Sequence, residues 1–313
     1  MRVSGIAVCA CTCVLLACSE PLWNSTGPHG PPGPQLAVSD VDFSALGGGK
    51  VLVASVYGAY VIDGATHSIR KVTSDWLPNA RMSPDGEVIA YVPVSFDPPS
   101  IQLIGSDGTG SRSLSSFGWA QTGAMAWTAD ASAILIGVGF RFDGTPNDLP
   151  GLYRVARDGT QQLLRSYPTG PNGTIICPTF ELSGHEIAAS VTGKIAMTCG
   201  SSIYINGGGS FGGGGEGLTW SPDGSKLTMI VPGAIRILNG ETGEILRTID
   251  IPGERPPLYG QRLCWLETGN RLVFTAAVAG RSTVYTVDGA GGTARPVITD
   301  ASKYEVDSVS CAR

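Results

Sequence analysis

The chain has 313 residues, a formal charge of −5 with a pI near 5.2, and 15% charged against 42% hydrophobic residues. Its 44 glycines are about twice the usual share and its charge is well below the typical ~25%, which argues against long solvated helices. The apolar content excludes wholesale disorder, no apolar run reaches the ~18 residues of a bilayer span, and the acidity leaves no basic footprint for nucleic acid.

Arg2 gives a short basic start, Ile6 to Ala17 are largely apolar, and charge returns at Glu20, which is the layout of an export signal too short to span a membrane. The end of that stretch, Leu15-Leu16-Ala17-Cys18, resembles the lipobox of bacterial lipoproteins. The resemblance implies that 1–17 is a signal peptide and that Cys18 is lipidated, with acyl chains adding ~0.8 kcal/mol of membrane affinity per buried CH₂. Ser19, in place of Asp, implies sorting to the outer membrane of a Gram-negative envelope. Residues 18–38 then read as the lipidated Cys and a tether, because Gly27-Pro28-His29-Gly30-Pro31-Pro32-Gly33-Pro34 favours extended polyproline geometry over helix or sheet.

Four of the eight cysteines, Cys177, Cys199, Cys264 and Cys311, fall in the exported body. An oxidising compartment permits disulfides, and four cysteines allow three pairings. Order along the chain favours Cys177 with Cys199 and Cys264 with Cys311. Paired CxxC spacings for zinc are absent from this part.

From residue 39 onward a pattern recurs: an aromatic or Met, a tight turn, then an apolar strand. The copies begin at Phe43, Met82, Trp127, Phe180, Trp220 and Trp265, separated by 39, 45, 53, 40 and 45 residues. Ser83-Pro84-Asp85-Gly86 and Ser221-Pro222-Asp223-Gly224 are the full turn motifs, in which Pro pre-sets φ, Asp bonds backbone and Gly takes the left-handed corner. In phase with these, six alternating strands end at Asp63-Gly64, Asp107-Gly108, Asp158-Gly159, Asn206-Gly207, Asn239-Gly240 and Asp288-Gly289. Such dipeptides signal hairpins whose turn residues accept positive φ. Four short strands per ~45 residues cannot bury both sheet faces alone, and a ring of sheets solves this.

The aromatic-Ser-Pro-Asp-Gly turn followed by an apolar strand resembles the PD40 (WD40-like) repeat of TolB-like propellers, and the resemblance covers residues 39–313. It implies an all-β fold of six four-stranded blades, with seven as the alternative, in a protein that associates with other envelope components. Val309-Ser310-Cys311, one repeat beyond Trp265, reads as an inner strand by which the tail closes the ring.

Motifs that suggest chemistry are explained by their context. Gly208-Gly209-Ser210-Phe211-Gly212 matches GxSxG, and 207–212 matches GxGxxG, but no helix follows, so an inter-blade loop is expected. His185-Glu186 lacks the second His of HExxH, and His29, His67 and His185 are too dispersed for a metal site or triad. Lys50 after three glycines lacks the rest of a phosphate loop. Trp127, Trp220 and Trp265 suit packing between blades, whereas Trp23, Trp76 and Trp119 lie in the tether or loops, where a partner could touch them. The sequence thus predicts a lipid-anchored, non-catalytic envelope propeller that needs no cofactor or metal and binds a protein or peptide. The alternative is a propeller enzyme acting on a carbohydrate or lactone at the channel mouth.

Overall fold

The structure, a computed structural model, describes residues 34–77, 79–93, 100–116, 122–138, 151–166, 186–199, 202–206, 210–212, 215–253, 263–266 and 270–312. Among the described residues, twenty-four strands form six four-stranded antiparallel sheets arranged as the blades of a β-propeller.

Blade one contains β1 (Lys50–Ser55), β2 (Gly58–Asp63) and β3 (Ser68–Thr73). Blade two is β4 (Arg81–Met82), β5 (Val88–Tyr91), β6 (Ser100–Gly105) and β7 (Arg112–Ser116). Blade three is β8 (Thr122–Trp127), β9 (Ala133–Val138), β10 (Gly151–Ala156) and β11 (Gln161–Ser166). Blade four is β12 (Ile187–Ala189), β13 (Ile195–Cys199), β14 (Ser202–Ile205) and β15 (Ser210–Gly212). Blade five is β16 (Glu216–Trp220), β17 (Lys226–Val231), β18 (Ala234–Asn239) and β19 (Ile245–Asp250). Blade six is β20 (Leu263–Leu266), β21 (Arg271–Val278), β22 (Arg281–Asp288) and β23 (Arg295–Pro296). The tail supplies β24 (Ser308–Cys311), which pairs with β1 in the register Val51↔Cys311 and Val53↔Val309 and becomes the inner strand of blade one.

Burial follows radial position. Second strands are buried on both faces, as throughout β9, because each sheet is sandwiched between two others. The outermost strands β11 and β19 are mostly exposed and carry charge. Leu36 is buried with Val41, Phe43, Tyr304 and Val306 at the seam between the first and last blades.

The Ser-Pro-Asp-Gly turns join first to second strands. Gly86 N–H donates to Ser83 O (2.8 Å), Val88 N–H to the Ser83 hydroxyl (3.0 Å), and the Asp85 carboxylate accepts Glu87 N–H (3.1 Å) and the Ser83 hydroxyl. Ser221 to Lys226 repeat the arrangement. There the Ser221 hydroxyl and Ser225 N–H hold the Asp223 carboxyl down to about 2, so these aspartates stay ionised as turn braces. Gly86 and Gly224 adopt φ of 71° and 70°.

Two of the expected repeat copies shift. Phe43 ends no inner strand; Phe43–Leu46 is a 3-10 turn, and the tail takes the inner position of blade one. In blade four Ile187–Ala189 is the inner strand and Ser190 to Lys194 the turn, with Ser190 N–H donating to Lys194 O (2.9 Å) and Gly193 N–H to Ser190 O (3.2 Å). The copy expected at Phe180 therefore sits further along the chain, and Phe180 itself lies outside the described residues.

In every blade one inner-strand residue points at the preceding blade and acts as a peg. The pegs are Cys311, Met82, Trp127, Ala189, Trp220 and Trp265. Trp127 Nε1 donates to Arg81 O (2.9 Å), Trp220 Nε1 to Ala188 O (3.1 Å), and Trp265 Nε1 to the Thr228 hydroxyl. Two Asx-Gly glycines serve these rings and not the turn. Gly240 and Gly289 lack positive φ, but a Cβ would come within 2.5 Å of Trp220 and 2.6 Å of Trp265, respectively. Gly240→Ala is therefore expected to destabilise by about 1–3 kcal/mol through overpacking, read as an earlier denaturant midpoint. An unchanged midpoint would show that the ring is free to give way.

Candidate functional site

Inner strands run along the axis, so the connections between second and third strands and between blades share one end of the ring, and the tight turns share the other. The long connections, 92–99, 139–150, 167–186 and 251–262, all join strand ends on the first of these, which is the natural place for a variable binding surface.

The axis itself is narrow. A cavity of about 60 Å³ lies among Arg81, Met125, Thr219, Trp265, Ser310 and their neighbours, room for a few waters and far below a small-molecule pocket. Arg81 is the one charged side chain on its described lining. It is 7% exposed, donates Nε to Met125 O (3.0 Å) and Nη1 to Ala80 O (3.2 Å), and sits beside the Ser310 hydroxyl that caps Met82 N–H (3.0 Å). Burial pulls its pKa down and the Glu186 charge opposes that, so the axis carries a fixed, desolvated positive charge. The carboxylate whose charge reaches it is that of Glu186, the residue before β12.

A second titratable group, which no sequence motif marked, lies at the loop end. Asp307 precedes β24, and its carboxylate accepts Trp76 Nε1–H at 3.1 Å, tying the first inter-blade connection to the closing tail. Trp76, singled out as a loop residue a partner could touch, is thus anchored at its indole nitrogen. Burial pushes the Asp307 carboxyl up to about 6; Glu305 adds to this, while the Trp76 and Val56 N–H groups work against it. The folded state therefore holds a proton that the unfolded chain gives up near pH 4. Stability from this group is full below about pH 4, falls as pH rises through about 6, and stays low above. Asp307→Asn keeps the indole acceptor and removes the charge. It is expected to raise stability at pH 8 by roughly 2–3 kcal/mol and to leave it nearly unchanged at pH 4. Equal gains at both pH values would exclude titration of Asp307 as the cause.

The other residues singled out by sequence are dispersed. Ser83, Pro84, Asp85 and Gly86, with Ser221, Pro222, Asp223 and Gly224, form turns at the opposite end from the long connections. Cys264 and Cys311 are joined, with a Cα separation of 5.6 Å. Cys18, Cys177 and the side chain of Cys199 lie outside the described residues, as do His29, His185, Trp23 and Trp119. His67 sits in a turn and stacks on Phe43 at 5.2 Å. Ser210–Gly212, expected in an inter-blade loop, is instead the outer strand of blade four, because alternate residues there still offer backbone to β14. Among the described residues no cluster of three or more His, Cys, Asp or Glu could hold a metal ion.

No protein family matches the sequence, and no curated protein does. Among solved structures the chain is similar to TolB from Acinetobacter baumannii, at 18% identity and a TM-score of 0.58, over 85% of this chain and 67% of that one. It is also similar to a chain of the nidogen–laminin complex, at 14% identity and a TM-score of 0.57, over 85% and 99%. At these identities the likeness is one of fold: a six-bladed β-propeller resembling TolB.

Proposed function

We propose that this chain is a lipid-anchored, non-catalytic binding module of the bacterial cell envelope, tethered through Cys18 to the outer membrane, whose ring takes a protein or peptide at the end carrying the long connections. The observation that carries the reading is the axis. Where an enzyme of this architecture would gather acids or metal ligands, the described lining offers apolar and hydroxyl side chains around one buried arginine. Arg81 sets one buried positive charge at the axis, with the Glu186 charge acting on it, and its side chain is held by the Met125 and Ala80 carbonyls. The propeller of the nidogen–laminin complex, from a structure of a protein assembly, supports protein binding by analogy of fold alone.

The test uses photo-crosslinking residues in intact cells, at Val56 on the loop end and Thr66 on the turn end. A single envelope protein captured from Val56 and not from Thr66 supports the reading. Capture from both ends alike, or turnover of lactones or glycosides by the purified chain, overturns it. Mass spectrometry of the mature amino terminus is expected to find a lipid-modified Cys18, and Cys18→Ser is expected to release the protein from membranes.

A further inference from the structure

We infer that the cleft between blades three and four is a receptor for an aromatic side chain of a partner polypeptide. It is where a peg is missing. Ala189 points at blade three as Trp127 points at blade two and Trp220 at blade four, yet it offers only a methyl group.

Strand register identifies the seat. Trp127 packs on Ala90, Leu103 and Leu114, which the ladders β4–β5 and β5–β6 and the bulge in β7 place side by side. Trp220 packs on Ala196 and Ile205, with Phe211 beyond. The same positions of blade three are Leu135, Arg154 and the bulge residue Leu164. With Ala189 above them, a cleft of about 300 Å³ remains, within the range of small-ligand pockets. Leu164 and Val191 at its rim are 39% and 52% exposed, among the most exposed large apolar side chains described.

The intact pegs define the occupant. Each tryptophan gives its N–H to the preceding blade, Trp127 to Arg81 O and Trp220 to Ala188 O; Ala126 C=O is the counterpart in blade three. A cation also lies over both rings, Arg157 over Trp127 at 5.2 Å and Lys194 over Trp220 at 5.9 Å. In the cleft Arg154 replaces the aliphatic residue of the other seats, its Nη2 bonded to the Ser132 hydroxyl at 3.0 Å. A guanidinium beside Leu135 and Ala189, in a lining that also carries Asp130 and Lys194, suits the negative face of an indole and not an aliphatic side chain. The inference is independent of the loop-end reading, since this cleft opens beside the turns.

Binding of N-acetyl-L-tryptophanamide to the full chain, followed by saturation-transfer NMR, is expected to exceed that of N-acetyl-L-leucinamide at least tenfold. Leu164→Asp, on an exposed outer strand, is expected to weaken the tryptophan probe at least tenfold while the melting temperature holds. Ala189→Trp is expected to fill the seat, raise the melting temperature and abolish binding. Equal binding of the two probes, no binding by the wild-type chain, or full binding by Leu164→Asp overturns the inference. A self-association that Leu164→Asp removes while neither probe binds would point to a second copy of this chain and overturn it equally.

Discussion

A chain ending at Ser302 is expected to lose cooperative folding altogether, although it lacks only 11 residues. The missing segment contains β24, so β1 would lose its partners at Val51, Leu52, Val53 and Ala54 and line the axis with unpaired backbone. Tyr304, Val306 and Val309 are each no more than 1% exposed, and the Tyr304 hydroxyl bonds Ser55 Oγ at 3.1 Å. Burial of three such side chains at ~2 kcal/mol each, several ladder bonds at ~1 kcal/mol, and the disulfide add to on the order of 10 kcal/mol. That is comparable with the whole stability of an ordinary domain. Calorimetry should show no transition, or one lowered by tens of degrees, and a synthetic 303–313 peptide added in trans should restore part of it. A truncated chain melting within two degrees of the full one would refute closure by the tail.

What the sequence made legible follows from which signals are local. Five of the six Asx-Gly dipeptides, at Asp63, Asp107, Asp158, Asn239 and Asp288, end or follow the third strands of their blades with a carboxylate or amide accepting the next backbone N–H groups, which builds a turn from neighbours alone, as Asp107 does for Thr109 N–H at 2.9 Å. The physical reason is less uniform than the dipeptide suggested. Gly108 and Gly159 have positive φ, whereas Gly240 and Gly289 make room for a ring from another strand.

Pegs are a tertiary feature, and they could be read only where they are large. Met82, Trp127, Trp220 and Trp265 stood out from a Gly-rich background. Ala189 did not, and the turn after it puts Thr192 near the position where Asp85 and Asp223 sit, so the pattern slid upstream to Phe180. With Ala189 in place, the inner-strand pegs from Met82 onward are spaced by 45, 62, 31 and 45 residues, which no fixed period would have located. Blade one misled for another reason: its inner strand comes from the far end of the chain, so the resemblance before Lys50 had no strand to mark. The elevated carboxyl of Asp307 depends on burial by distant residues and left no motif at all.

Loss of the Cys264–Cys311 bond is the second change expected to be severe, because Cys311 is the peg of blade one. It occupies the inner-strand position of Trp265 and Trp220, pointing at the preceding blade, and Cys264 is the neighbour of a peg, as Arg81 and Ala188 are where they receive an indole N–H. A covalent link thus ties the inner strand of blade six to the closing strand β24, whose pairing with β1 is where the two ends of the chain meet. For a sequence separation of 47, the chain-entropy treatment gives about 4 kcal/mol. Cys264→Ser with Cys311→Ser should lose that amount, and the packing of a half-filled seat besides. Cys264→Ala with Cys311→Met, which copies the peg at Met82, should recover about 1–2 kcal/mol of packing but none of the closure entropy. Reductant should then lower the denaturant midpoint of the wild-type chain and leave both variants where they are. If the wild-type midpoint stays fixed while thiol titration shows the bond has opened, the seam is held by packing and hydrogen bonds alone, and the disulfide adds nothing to closure.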